Sequence, residues 1–421
     1  MSESDVLASL LPETRPLTDA EVRQVLAGAL GQLDLAGKRV LAIIPDSTRT
    51  APIPLLARLL GELLNGRAAQ VDFLVALGTH MPMNDAALSR LVGAEVAAGR
   101  FGPHRIFNHQ WDDPATFAVI GRITAEEVER FSHGRLSLDV PVAINSLALA
   151  YDHLIVCGPV FPHEVVGFSG GNKYFFPGIA GPEMINVTHW MGALLTSMGT
   201  IGIADTPMRR MIDHAAAMIP TPRTNVSMVM HGSSLVGMVV GSMTGAWKAA
   251  VEASARLDIV WCVRPYRRVL AIMPEMYDDL WTGAKGMYKL EPAVADGGEV
   301  VIYAPHIDEV SYAHGHILDQ IGYHVRDYFL AQWDLFKHHP WGVLAHSTHV
   351  RGSGTFLGGI ETPRIRVTLA TGISPQRCAK IGLGYMDPAA VDVSAWRNRE
   401  QEGILVVPRA GEMLYRLRPG G

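Results

Sequence analysis

Three side chains able to do chemistry crowd into one short stretch, VFPHEVVGFSGGNKYFFPGIAGPEMINVTHW, from Val160 to Trp190. Lys173 follows His163 by ten residues and precedes His189 by sixteen. Between the histidines, Gly167, Gly170 and Gly171 let the backbone approach a ligand and turn N–H groups toward it, as anion-binding turns do. The GxxxxGK[ST] spacing of a P-loop is absent. Taken singly, the turn reads equally as a flexible loop with a solvated lysine, and each histidine as a hydrogen-bonded structural residue. No HExxH or clustered carboxylate set accompanies them, so a metal here would need most of its ligands from something other than the protein.

Two other loops carry reactive types. His80, in GTHMPM, suits a general base, because a rigid strand before it fixes the loop that exposes it; the alternative is a turn histidine packed on proline. Asp46 and Arg49 lie in PDSTR, where Arg suits planar recognition of a carboxylate, and where the pair reads equally as a surface ion pair.

The elements that must position these residues follow from periodicity. KRVLAIIPDSTRTAPIPLLARLLGELL is an apolar Val/Ile run, a turn, and leucines at helical spacing. AQVDFLVALG repeats the strand, and NDAALSRLVGAEV the helix, opened by Asn84 in capping position. YDHLIVCGPVFPH is a third buried strand. Successive strand and helix units predict a parallel sheet with right-handed crossovers, whose ligands bind outside the carboxyl ends of the strands. The loops named above all fall there. A second region opens at PYRRVLAIMPE and includes DDLWTGAKGMYKLEPAV, expected to be helical, and the strand GGEVVIYAP. The expected class is α/β with two domains, each a mainly parallel sheet flanked by helices, and an active site in the cleft between them. The first domain is read as 1–264, completed by the tail 400–421, and the second as 265–399.

At 421 residues, 48% hydrophobic and 18% charged, the chain has ample material for two cores. A net charge of −5 without a basic stripe gives no footprint for nucleic acid. No signal-peptide pattern opens the chain and no apolar run reaches the roughly 18 residues of a spanning helix, so a cytoplasmic protein without membrane contact is expected. Cys157, Cys262 and Cys378 are far apart and odd in number, and read as buried apolar side chains rather than disulfides or metal ligands.

Together, DSTR, GTH, PHEVVGFSGGNK and NVTHW resemble the nickel-dependent lactate racemase (LarA-type) family, whose pattern has the same spacing of His, Lys and His. The resemblance implies a nickel-pincer nucleotide, a pyridinium mononucleotide with two sulfur-containing arms, joined to Lys173 through a thioamide and with His189 as the protein ligand to nickel. It implies His80 and His163 as acid-base residues, one for each face of a 2-hydroxy acid whose carbon-bound hydrogen leaves and returns as hydride. Arg49 and Lys285, the latter in DLWTGAKGM, would contact the substrate carboxylate. Asp46 would orient a neighbouring group or the cofactor. We further expect Ser169, Gly170, Gly171 and Asn172 to serve the nucleotide phosphate through backbone donors. Cofactor-maturation enzymes are implied partners.

The sequence departs from that family where it touches substrate. Met81 replaces the arginine of GTHRP, and Trp281 and Thr282 replace the Tyr-Gln pair before the second-domain lysine, which points to a larger 2-hydroxy acid than lactate. Two other readings stand beside the racemase: a dehydrogenase-like redox enzyme using the same cofactor, and a non-catalytic binding protein for small acids or the cofactor. Free NAD is disfavoured by the absence of GxGxxG after the first strand. His306, His314, His316, His346 and His349, some of them in AHGH and HSTHVRGSG, could contribute substrate contacts, but a structural or solvated role is favoured.

Overall fold

In the computed structural model, which describes residues 5–418, the chain divides into two compact units. The first runs to Pro162 and takes in Phe168–Thr188 and Ala204–Leu257; the second takes His163–Gly167, His189–Ile203 and the chain from Asp258 onward.

The first unit is built on an eight-stranded sheet. Its centre holds five parallel strands in the order His104–Asn108, Gln70–Ala76, Arg39–Pro45, His153–Pro159 and Arg223–His231. Antiparallel strands close both edges, Ser234–Gly241 with Val6–Leu10 on one side and Arg100–Phe101 on the other. The central strands read as unbroken apolar runs because both faces are covered. Helix Ile53–Leu64 shows how: Ile53, Leu56, Leu60 and Leu64 share one buried stripe at helical spacing. They join Val40, Ala42, Phe73 and Val75 in one core, where burial of each large apolar side chain is worth about 1.5–3 kcal/mol. Asn84 opens the next helix as expected, accepting the Ala87 N–H at 2.9 Å.

The second unit holds a five-stranded, all-parallel sheet in the order Gly384–Tyr385, Arg366–Thr371, Val294–Ala304, Tyr266–Ile272 and Ile404–Pro408. The C-terminal tail therefore corrects one expectation. It does not complete the first sheet: Ile404–Pro408 pairs in parallel with Tyr266–Ile272, and Leu414–Leu417 with Ile259–Cys262. A terminal apolar strand pairs with whichever edge offers backbone donors, and alternation of side chains carries no record of which edge that is. All three cysteines are free and buried.

Candidate active site

Strands Arg39–Pro45 and Gln70–Ala76 are neighbours with Pro45 opposite Ala76, so the loops after them leave the sheet side by side. They bring Asp46 and His80 together: Oδ2 of Asp46 lies 2.5 Å from Nδ1 of His80. The carboxylate is buried, and its other oxygen accepts the Thr48 hydroxyl at 2.6 Å and the Thr48 N–H at 3.1 Å. Burial pushes the Asp46 carboxyl up, but the bonds from His80 and Thr48 and the charge of Arg49 outweigh it and hold the group below its usual range. The imidazole is half exposed, and Trp111 Nε1 donates to the His80 carbonyl at 3.1 Å. The Arg49 guanidinium lies 5.9 Å from the Phe161 ring centroid. Asp46, expected from sequence to orient a neighbouring group or the cofactor, is engaged by His80, a pairing between loops 34 residues apart that no local motif announces.

The turn that presents Lys173 is clamped from behind. Gly170 and Gly171 take φ of 79° and 58°, left-handed values that favour glycine. A Cβ on Gly170 would stand 2.7 Å from Val160 Cγ2, and one on Gly171 3.1 Å from the Trp247 ring. Three successive carbonyls are held: Arg209 donates to Phe168 O at 2.5 Å and to Gly170 O at 3.3 Å, and Trp247 Nε1 donates to Ser169 O at 2.8 Å. The guanidinium also stacks 4.2 Å from the Trp247 ring centroid. Burial lowers Arg209 to about 10, which leaves it charged at neutral pH. Asn172 Nδ2 donates to Asp213 at 2.9 Å, while its Oδ1 is buried without a hydrogen-bond partner. Ser169 is engaged internally on both counts: its N–H donates to Phe161 O, and its hydroxyl donates to Pro159 O and accepts the Phe161 N–H. Among the four residues expected to serve a phosphate, Gly170, Gly171 and Asn172 remain suited to it.

The other expected residues belong to the second unit. His163 is buried, its Nδ1 accepts the Val165 N–H at 3.1 Å, and Glu164 Oε2 lies 3.4 Å from that nitrogen. His189 stands on helix Pro182–Leu195. Trp281, Lys285 and Tyr288 follow one another at helical spacing through two short helices, Leu280–Gly283 and Lys285–Tyr288. Asp279 caps the first, accepting the Thr282 N–H at 2.9 Å and its hydroxyl at 2.8 Å. Lys285 Nζ lies 4.9 Å from the Tyr277 ring centroid.

Helix Trp341–Arg351 adds two histidines that the sequence left unplaced. His346 stacks on Trp281 with centroids 4.0 Å apart, and His349 meets Tyr288 edge-on at 6.3 Å. The pairs alternate along the helices, and Lys285 lies between Trp281 and Tyr288 in the chain. Both nitrogens of His349 are buried without a hydrogen-bond partner. A pair of histidines three apart in an apolar helix was the only sequence signal for this wall.

Burial pulls His346 down to about 3 and His349 to about 4. The unfolded chain therefore binds protons that the folded chain refuses between pH of about 6.5 and about 4, and stability must fall as pH drops through that window. We expect a loss of order 3 kcal/mol for each histidine by pH 4, read as a falling melting temperature. Replacing His346 or His349 with Phe should flatten that decline.

These arrangements define a class first: an α/β protein with a carboxylate-backed histidine at the carboxyl edge of a parallel sheet and a lysine in a clamped glycine turn. Comparison with known proteins narrows it. Residues 5–200 match the lactate racemase N-terminal domain. The chain is 25% identical over 318 residues to a lactate racemase of Thermoanaerobacterium thermosaccharolyticum, covering 73% of this chain and 67% of that one. It is 23% identical over 274 residues to a lactate racemase of Lactiplantibacillus plantarum, covering 64% and 60%. Among solved structures, a protein from Thermotoga maritima superposes with TM-score 0.83 at 30% identity, over 97% of this chain and all of that one. The lactate racemase apoprotein of T. thermosaccharolyticum shares the fold at TM-score 0.70 and 20% identity, over 94% and 88%. Residues 5–200 thus match a lactate racemase N-terminal domain, and the chain is similar to lactate racemases over most of its length. Among the described residues no helix is long and apolar enough to cross a membrane.

Proposed function

We propose that this protein interconverts the two configurations of a 2-hydroxy acid, using a nickel-pincer nucleotide joined to Lys173, with His189 as the nickel's protein ligand. The observation that carries the reading is the Asp46–His80 pair at the sheet edge, taken with the family match. The residues present fit such a group. Lys173 stands in a turn held rigid by Arg209 and Trp247, and the buried Asn172 Oδ1 can accept a bond from a ligand donor. When bound, the group supplies a hydride acceptor for the carbon-bound hydrogen of the substrate.

The chain's own residues do the rest. Arg49 and Lys285 bind the substrate carboxylate, the Arg by a planar two-point contact and the Lys as a point charge. His80 and His163 hold and move the proton of the 2-hydroxyl. Trp281, stacked on His346, and Thr282, bonded to Asp279, stand where the family carries a Tyr-Gln pair, and that change favours a substrate larger than lactate. The substrate is small, and the cofactor-maturation enzymes are the macromolecular partners this chemistry requires.

The test is intact-mass and nickel analysis of protein co-produced with the maturation enzymes, followed by chiral assay of single enantiomers. We expect about one nickel per chain, an adduct on Lys173, and inversion approaching equal amounts of both hands. Accumulation of keto acid with no inversion would move the reading to a redox enzyme.

A further inference from the structure

The stem of Lys285 is packed by a segment far from it in sequence, inside the second unit. After strand Ile404–Pro408 the chain turns through Arg409 and Gly411, at φ of 58° and 95°, and runs into Leu414–Leu417. The Arg409 guanidinium closes the turn on the Glu412 carboxylate at 2.5 Å, and the Ala410 N–H donates to Ile272 O at 2.8 Å. So held, the turn lies against the lysine. A Cβ on Gly411 would stand 3.0 Å from Lys285 Cβ and 3.1 Å from the Tyr277 hydroxyl oxygen, and the Lys285 ammonium lies over that same tyrosine ring. Glycine suits both the left-handed backbone and so close an approach. One helical turn on, Lys289 ties the same elements together. Its buried ammonium donates to Glu412 O at 2.7 Å, and its carbonyl accepts the Tyr415 N–H at 2.9 Å. Burial, and then the charge of Lys285, lowers the Lys289 ammonium to about 8, so most of it stays charged at neutral pH. An apolar side chain would fill that place without the desolvation cost. What the ammonium adds is a bond to the turn.

From these contacts we infer that the turn Arg409–Glu412 is a positioning element for the substrate-binding lysine: Gly411 sets where the Lys285 stem lies, and Lys289 holds the turn against it. The inference rests on the reading of Lys285 as a carboxylate contact given above. A lysine carries its charge on a flexible four-carbon stem. A stem packed against Gly411 and Tyr277 has lost much of that freedom before substrate arrives, so less order has to be imposed on binding. Gly411 and Lys289 are thus positioning residues that act through Lys285.

The test uses the cofactor-loaded protein and a 2-hydroxy acid, with affinity read as KM and, where turnover is slow, as calorimetric Kd. Gly411→Ala should raise KM about tenfold while kcat stays within about threefold of the parent, the signature of lost binding rather than lost chemistry. Nickel content and the Lys173 adduct, read by intact mass, should match the parent. Lys289→Met should raise KM in the same way with a melting temperature at or above the parent's, and Lys289→Arg, which can still donate to Glu412 O, should recover part of the affinity. Gly403→Ala is the control. Gly403 is also left-handed, at φ of 77°, but its Cβ would meet Arg267 instead of Lys285, so the variant should lose stability and keep KM. A double-mutant cycle then separates positioning from general damage: in Lys285→Met protein, whose own KM should rise, neither Gly411→Ala nor Lys289→Met should raise it further. An unchanged KM in folded Gly411→Ala and Lys289→Met, or rises of the same size in the Lys285→Met background, would overturn the inference while leaving the racemase reading intact. An unchanged KM in Lys285→Met alone, or parent protein that carries nickel and the adduct but inverts no 2-hydroxy acid, would sink the underlying reading and the inference with it.

Discussion

Lys173→Ala, co-produced with the maturation enzymes, should fold normally, carry no nucleotide-sized adduct, and show no measurable inversion of any 2-hydroxy acid. The side chain is only partly buried, and the turn around it is held by its neighbours, through Gly170 and Gly171 in left-handed conformation and the carbonyls of Phe168, Ser169 and Gly170 under Arg209 and Trp247. The turn's own clamp stays in place in the variant, and the melting temperature should stay within a few degrees of the parent. Lys173→Arg sharpens the point. It keeps the positive charge and the length, but a guanidinium stays protonated at all working pH and offers no neutral amine to form a bond. If Lys173→Arg retained activity, the covalent attachment would be wrong and an electrostatic role for Lys173 would replace it.

The second large effect is expected far from any reacting atom. Arg209→Ala removes a buried cation that donates to two turn carbonyls and stacks on Trp247. Left behind are a cavity, two carbonyls that lose their donor, and a tryptophan without its cation, each of which carries a cost. We expect a loss of about 3 kcal/mol or more, and a fall in adduct occupancy at Lys173 beyond what the unfolded fraction explains. Arg209→Lys should recover charge but not the two-carbonyl fork, and so should rescue only part of the adduct. Calorimetry with intact-mass analysis of the soluble, folded fraction reads both. Normal occupancy in folded Arg209→Ala would show that the clamp serves stability alone.

Much of the first unit was open to sequence reading. Apolar runs such as RVLAIIP, followed by a turn and leucines at helical spacing, have few solutions other than a parallel strand covered by a helix, and the Asn84 cap follows from its own side chain. The same reading put Asp46, His80 and His163 at strand ends, because strand direction decides which loops lie at the carboxyl edge. Spacing within one segment also singled out Lys173 and its glycines, since a turn needing left-handed backbone shows its glycines directly.

What the sequence could not hold is pairing between distant segments. That Asp46 serves His80, that Arg209 and Trp247 grip the Lys173 turn, that His346 stacks on Trp281, and that the tail joins the second sheet are all contacts between residues remote in the chain. Local propensity reports how a segment folds on itself. Which surfaces then meet is decided by the packing of whole elements, where side chains of many types bury equally well and only assembled shape and the need to satisfy buried donors select the partner. The sequence thus determined the residue types and their strand ends, and tertiary structure alone decided which of those residues meet.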